Sequence, residues 1–293
     1  MDKKRKIIPY LYLLPSLAAF IVFMFWPLIR TIYLSFFDWN MIKPVKEFVF
    51  LDNYIRIFTD PITFMVIGNT FLYIGLLLIV NCAAPYVLSF ILSHVIKKGK
   101  VFYKSTFFLP SVISLVVGSI LYTWILNPIS GPVAILAKGI GITIPIWSKS
   151  QGLVIVVLSI ITSWKVFGYN FIVVLGGVSG VSQEAIEAAR LENVPLRKIF
   201  FDIVLPMSSA TGVYVFIITI VQGLQYVFTP IKVITQGGPN YASSNLIYQS
   251  YHEAFTLYRT GGASAFSIIT MILFIALLLL EFRFVEKGVH YES

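Results

Sequence analysis

Lys165 lies deep inside an apolar run, in the stretch SWKVFGYNF. An ammonium at the middle of a membrane helix costs about 2.5–3.5 kcal/mol on insertion scales. It must face a cavity or a partner, or lie near enough to a helix end to snorkel to the headgroups. The sequence allows both. Facing a cavity, a buried cation would suit a phosphate or a uronate. Tyr169 follows at a spacing of four, on the same side of a helix, with Asn170 beside it. Gln222, Gln225 and Tyr226 recur at three and four in a second apolar run. Such a polar stripe can join helices, at about 0.6–2 kcal/mol per hydrogen bond. It can equally form a sugar-facing wall, because amides and aromatic rings meet the hydroxyls and ring faces of a carbohydrate. The chemistry offered is binding rather than bond-breaking.

Nothing else in the chain points to catalysis. No Gly-x4-Gly-Lys-Ser/Thr phosphate loop, His-Glu-x-x-His or Gly-x-Ser-x-Gly occurs. His94, His252 and His290 are scattered without metal-ligand spacing, and the single Cys82 sits in an apolar run where a small buried role fits. No cofactor or metal is expected. The net charge of +9 comes with no basic-aromatic patch clear of the apolar runs, so nucleic acid is not called for.

The elements that would position these residues are membrane spans. Hydrophobic residues make up 58% of the chain and charged residues 12%, the balance of an integral membrane protein. Six apolar stretches fall at about 10–36, 64–95, 103–126, 151–176, 207–228 and 262–282. Each has roughly 20 residues or more, enough to cross about 30 Å of hydrocarbon. The second is long enough to tilt or to run along the interface. The opening MDKKRK precedes an apolar run too long for a signal peptide, with no clear small-x-small cleavage site, so a retained first span is expected. Pro15 and Pro27 mark bends in it, and Trp26, Tyr33 and Trp39 suit an aromatic belt. A short interfacial helix is expected within VFLDNYIRIFTDP of the 38–62 loop, and another short helix at 132–138.

Charge sets the expected orientation. With the N-terminus inside, Lys3, Lys4, Arg5, Lys6, Lys97, Lys98, Lys100, Lys104, Arg190, Arg197, Lys198, Arg283 and Lys287 are inside, 13 in all. Eight lie outside: Arg30, Lys43, Lys46, Arg56, Lys138, Lys149, Lys232 and Arg259. Both termini are therefore expected in the cytoplasm.

Between the fourth and fifth apolar runs lies EAIEAARLENVPLRKIFFDIVLP, Glu184 to Pro206. A stretch so polar between two spans must lie in water or against another protein. Helical spacing predicts a short helix from Glu184 to Leu191, ended by Asn193-Val194-Pro195, because Asn tolerates the left-handed conformation and Pro suits a first turn. A second helix follows from Leu196 to about Val204, and Pro206 punctuates the entry to the next span. Ala185, Ala188 and Ala189 make a small-residue face that would admit another backbone. The result is a bent elbow, which could be a solvated loop or a docking site.

Glu187-Ala188-Ala189, Asn193 six residues on, and Ile203-x-Leu205-Pro206 resemble the EAA loop of the inner-membrane permeases of ATP-binding-cassette importers. The family usually has Gly at the position of Asn193. Thr235-x-Gly237-Gly238-Pro239 resembles the outer loop of carbohydrate permeases, and Tyr248, Tyr251, Ala254 and Phe255 continue the likeness. Leu51-Asp52-Asn53-Tyr54, Asn69-Thr70, Phe102-Tyr103 and Leu109-Pro110 resemble further family segments, so the similarity runs through nearly the whole chain, up to the closing Phe284-Val285-Glu286.

The resemblance implies an all-α integral membrane protein: six transmembrane helices with a cytoplasmic coupling helix, the type I importer permease fold. Its expected divisions are 1–62 (first helix and outer loop), 63–285 (five-helix core with the loop at 184–206) and 286–293 (cytoplasmic tail). It implies a non-catalytic subunit in a bacterial cytoplasmic membrane, partnered by a second similar permease, an ATPase dimer that binds the ATP, and an extracellular or periplasmic binding protein. Glu187, Ala188, Ala189, Asn193 and Pro206 would couple to the ATPase. Lys165, Tyr169, Asn170, Gln222, Gln225 and Tyr226 would line the substrate path, and Gly237, Gly238 and Pro239 would meet the binding protein. The expected solute is a sugar, oligosaccharide or related polyol. Trp164-Lys165 with Tyr169-Asn170-Phe171 looks like the span of glycerol-phosphate permeases, which makes glycerol 3-phosphate or another anionic sugar derivative the alternative. An ATP-independent secondary transporter and a membrane scaffold are remoter readings.

Overall fold

A computed structural model describes residues 3–284, with side chains for 12–281 and Arg283. The expected tail at 286–293, with Lys287 and His290, lies outside these residues, as do Val285 and Glu286. Among the described residues five helices are long and apolar enough to cross a membrane: Tyr12–Leu34, Pro61–His94, Leu153–Ser179, Ser209–Thr235 and Thr260–Glu281. We number them spans 1, 2, 4, 5 and 6. Between spans 2 and 4 lies a bent pair, Lys100–Val112 and Leu115–Ile125, which makes a sixth when counted as one.

That pair departs from the single helix expected at 103–126. Its two arms meet at 101°. Pro110 lacks an N–H and its ring crowds the preceding turn, and the first arm ends in a tight 3-10 turn, Leu109–Val112. Ile113 and Ser114 are then extended, with ψ of 141° and 131°, before the second arm starts.

Elsewhere proline is absorbed rather than breaking the helix. Three π-turns, Ile21–Phe25, Ile79–Ala83 and Ile199–Val204, are each followed two residues later by a proline: Pro27, Pro85 and Pro206. Each proline ring presses on the carbonyl four residues back, and a widened turn makes room for it. Pro206 accordingly does not separate elbow from span; the chain stays helical through Leu205–Met207 and resumes at Ser209.

Backbone contacts group the chain into two units: residues up to Thr63 with Gln249–Ile272, and Phe64–Tyr248 with the residues from Leu273. In the first, Phe37–Asp38 and Glu47–Phe48 form a small antiparallel ribbon. The short helix Asp52–Thr59 is fastened to the end of span 1 by its side chains. Asn53 Nδ2 donates to the Ser35 and Phe37 carbonyls at 2.9 and 3.0 Å, and the Tyr54 hydroxyl to Ser35 Oγ at 2.7 Å. The Leu-Asp-Asn-Tyr segment is thus a clamp on carbonyls that span 1 leaves open at its end.

In the second unit span 4 is the spine. Asn81 of span 2 donates to Ser163 Oγ of span 4 at 2.8 Å, and Asn170 of span 4 donates to Thr219 Oγ1 of span 5 at 2.8 Å. Phe171 and Leu175 bury against Leu92, with Phe107 and Phe167 packed alongside. The Asn69-Thr70 pair has a matching structural use. Asn69 Nδ2 donates to the Tyr241 and Ser244 carbonyls, both at 3.1 Å; Thr70 Oγ1 accepts from the Leu246 N–H at 3.1 Å; the Tyr73 hydroxyl donates to the Ser243 carbonyl at 2.9 Å. Span 2 thereby holds the loop that returns from span 5.

Candidate functional site

The elbow forms as its residues predict. Gln183–Leu191 is a helix whose N-cap, Ser182, accepts from the Ala185 N–H at 3.2 Å. Its end is a Schellman closure: Val194 N–H donates to the Ala189 carbonyl and Asn193 N–H to the Arg190 carbonyl, both at 3.0 Å. Asn193 takes the left-handed conformation at φ 56°. Here Asn does what Gly does at such ends, since its short polar side chain tolerates that backbone. Pro195 then caps the next turn, Leu196–Lys198.

The elbow has two faces. Ile186, Ala189, Ile199 and Val204 are buried in one cluster with Tyr86 and Phe90 of span 2, Val174 and Val178 of span 4, and Val215 of span 5. Phe200 stacks edge-on to Phe90 at 5.2 Å between ring centroids. Arg190 Nη2 donates to the His94 carbonyl at span 2's end at 2.7 Å. The opposite face carries Glu184, Glu187, Ala188 and Leu191, all exposed, and Leu191 is 84% exposed. The expected small-residue face is therefore divided. Ala189 points into the core, Ala188 points out and Ala185 is half-buried, because helical spacing puts 185 and 189 near Ile186's side and 188 with Glu184 and Leu191. Leu191 carries a signal the spacing argument passed over: an apolar residue on an otherwise polar face.

Lys165 is half-buried, and its Nζ donates to the Ser111 carbonyl and, at 2.8 Å, to the Ile113 carbonyl. Ser111 Oγ returns a hydrogen bond to the Lys165 carbonyl at 3.1 Å. The lysine thus caps the first arm of the bent pair, where orphan carbonyls and the negative end of the helix dipole meet a cation. Of the two placements open in the sequence, it takes the one facing a partner, and the partner is backbone. Gly168, one turn on, lets that arm lie directly on span 4. A Cβ there would collide with the Phe107 carbonyl oxygen and sit 2.9 Å from Phe108 Cα.

Asn170 is 1% exposed. Besides Thr219 it serves the Asn81 carbonyl, at 2.7 Å. That carbonyl lies four residues before Pro85, which has no N–H to offer it. Asn170 therefore fills the gap that a proline opens in the neighbouring span.

Tyr169 remains accessible at 42%, with its hydroxyl 3.0 Å from that of Tyr214 on span 5. Gln225 lies eleven residues beyond Tyr214 on the same helix, about 20° around the axis at 3.6 residues per turn. Gln225 and Tyr226 are exposed and Gln222 is half-buried. The polar surface of spans 4 and 5 is thus Tyr169, Tyr214, Gln225 and Tyr226, with Gln222 at its edge and Lys165 and Asn170 engaged behind it. Tyr214 was not among the expected residues, because its nearest polar neighbour at helical spacing is only Thr211, with no amide beside it.

After span 5 the loop turns through Gln236, φ 50°, and Gly237, φ 82°. Gly237 is buried, and a Cβ on it would lie 2.8 Å from the Tyr248 ring. Gly238 and Pro239 are half-buried, while Gln236 and Asn240 are exposed. The peptide bond between Gly238 and Pro239 is cis.

No protein-family model matches the chain. It is 30% identical over 291 residues to the "Probable ABC transporter permease protein YurN" of Bacillus subtilis (strain 168), covering 98% of this chain and 99% of that one. Over 288 residues it is 31% identical to the "sn-glycerol-3-phosphate transport system permease protein UgpA" of Brucella abortus biovar 1 (strain 9-941), with 98% and 97% covered. Among solved structures it resembles a chain of a bacterial ABC transporter involved in the import of the acidic polysaccharide alginate, at TM-score 0.82 and 21% identity, with 97% and 96% covered. A chain of the alginate transporter in complex with alginate pentasaccharide-bound periplasmic protein gives TM-score 0.84 at 21% identity, covering 99% and 98%. At that identity the likeness establishes the fold. Helices long and apolar enough to cross a membrane, in this arrangement, define a membrane permease fold. The chain belongs to the permeases of ATP-binding-cassette transporters.

Proposed function

We infer that this permease serves a binding-protein-dependent importer of a sugar, oligosaccharide or polyol, and that Gln183–Leu191 is its coupling helix. The observation that carries this is the elbow's division of labour. Its inner face is built into the same core as spans 2, 4 and 5, while Glu184, Glu187, Ala188 and Leu191 stand free on the outer face. A push on that outer face moves three spans together. ATP-driven closure of a pair of partner ATPases would supply the push, with a second, similar permease forming the other wall of the path. The excess of Lys and Arg on the elbow side supports a cytoplasmic elbow and cytoplasmic termini in a bacterial cell membrane.

Solute would pass along Tyr169, Tyr214, Gln222, Gln225 and Tyr226. Phenol and amide groups exchange hydrogen bonds with hydroxyls, and phenol rings cover sugar faces. Lys165 and Asn170 act behind this surface by fixing the helices that carry it. The loop Gly237–Pro239 would shape the outer docking site for the binding protein, with Gln236 and Asn240 reaching outward.

An anionic solute is the second reading, favoured by the 31% identity to a glycerol-3-phosphate permease. Against it stands the commitment of the Lys165 ammonium to two carbonyls. Gentle solubilisation of the tagged chain from its native membrane tests the class. Recovery with a second permease and an ATPase is expected. Recovery alone, with activity in ATP-free vesicles under an ion gradient, would mean a secondary carrier. Uptake assays with neutral and anionic sugars then separate the two solute readings.

A further inference from the structure

We propose that the elbow side of this permease carries a binding site for an anionic phospholipid, its phosphate held between the ends of spans 2 and 4 and the start of the bent pair. A polar cavity of about 150 Å³ opens there, lined by Ser93, Lys100, Lys104, Ser179 and Gln183, with Leu92 and Leu175 at its floor. A water occupies about 30 Å³ of liquid, so a phosphate-sized group has room. Ser93 Oγ and Ser179 Oγ stand 3.3 Å apart, and Lys100 Nζ is drawn in by the Ser93 carbonyl at 3.1 Å. Two hydroxyls, an amide and two ammonium groups make a donor set suited to phosphate oxygens.

No Asp or Glu occurs from 61 to 183 and none lines the cavity, whereas Lys100 and Lys104 both do.

A lipid, rather than free phosphate, is indicated by what adjoins the cavity. Lys104 also lines a second groove of about 270 Å³, whose other walls are Ser105, Phe108 and Ile172. An acyl chain leaving the phosphate would run down that groove along apolar side chains. Val101 and Phe102, 77% and 70% exposed beside the lysines, suit the headgroup–acyl boundary where aromatic and basic residues gather. The three helix ends that build the cavity are the points where spans meet the membrane surface.

The test uses the assembled transporter purified in mild detergent and washed with detergent, with bound lipid extracted and measured by mass spectrometry. Phosphatidylglycerol is expected to stay with the complex, and Lys100→Gln with Lys104→Gln to reduce the amount retained at least tenfold. Lys100→Arg with Lys104→Arg should keep it, and Lys97→Gln with Lys98→Gln, whose side chains are exposed outside the cavity, should leave it unchanged. Thermal melting of each variant complex, expected within a few degrees of the parent, separates lipid loss from unfolding. Equal retention by the Gln double variant would overturn the site. So would displacement of the lipid by millimolar inorganic phosphate, or phosphate binding without lipid, since either makes the cavity a soluble-anion site.

Discussion

Lys165 Nζ lies 2.8 Å from the carbonyl oxygen of Ile113, at the point where the helix before span 4 turns through 101°. The cation that looks most expensive in the sequence is thus the one that satisfies carbonyls exposed at the bend. Replacing it by Met removes the cap and leaves the Ser111 and Ile113 carbonyls without their donor, at about 1–3 kcal/mol. The purified transporter should melt lower, and uptake of neutral and anionic sugars should fall together. Loss confined to anionic sugars, with melting unchanged, would return Lys165 to the solute path.

Asn170 and Pro85 should be energetically coupled. Asn170→Leu strands the Asn81 carbonyl, and a loss of about 1–3 kcal/mol is expected. Pro85→Ala restores an N–H four residues after that carbonyl. In its presence Asn170→Leu should cost less, with an interaction energy of about 0.5–3 kcal/mol in a double-mutant cycle read by denaturation. Simple additivity would mean the two groups do not serve one carbonyl.

Gly168→Ala should destabilise by about 1–3 kcal/mol, because the added methyl meets backbone that cannot rotate away. Gly176→Ala, on the same helix with nothing within 4 Å of where its methyl would sit, is the matched control and should be near neutral. Melting temperatures of the two variants check the difference.

At Asn193, φ 56° predicts an order of residues. Asn193→Gly should be neutral or stabilise by up to about 1 kcal/mol, and Asn193→Val should cost about 1–2 kcal/mol, since a β-branched residue resists the left-handed backbone. Limited proteolysis of the elbow in membranes should follow the same order.

Much of this was legible because the elbow and the spans obey local rules. Asn193 and Pro195 announce the helix end, and the apolar runs announce spans to within a few residues except at the end of span 5, which runs on from the expected 228 to Thr235. The bend at Ile113–Ser114 was not legible as such. Pro27 and Pro85 sit in spans that continue and Pro110 in one that breaks, and the carbonyls exposed at that break are met by a lysine more than fifty residues away. The roles of Lys165 and Asn170 were hidden for the same reason: each answers a carbonyl freed in another helix. The elbow's two faces were half legible, since Glu187 and Leu191 share a side by spacing while only packing shows Ala189 turned inward.

The most direct test of the coupling account is ATP-driven sugar uptake in proteoliposomes containing the assembled transporter with Glu187→Arg, compared with the parent. The account predicts that the chain inserts and melts normally, because Glu187 is exposed and outside the buried cluster, while uptake falls at least tenfold. Undiminished uptake by that variant would contradict it, leaving the elbow as an ordinary loop between two spans.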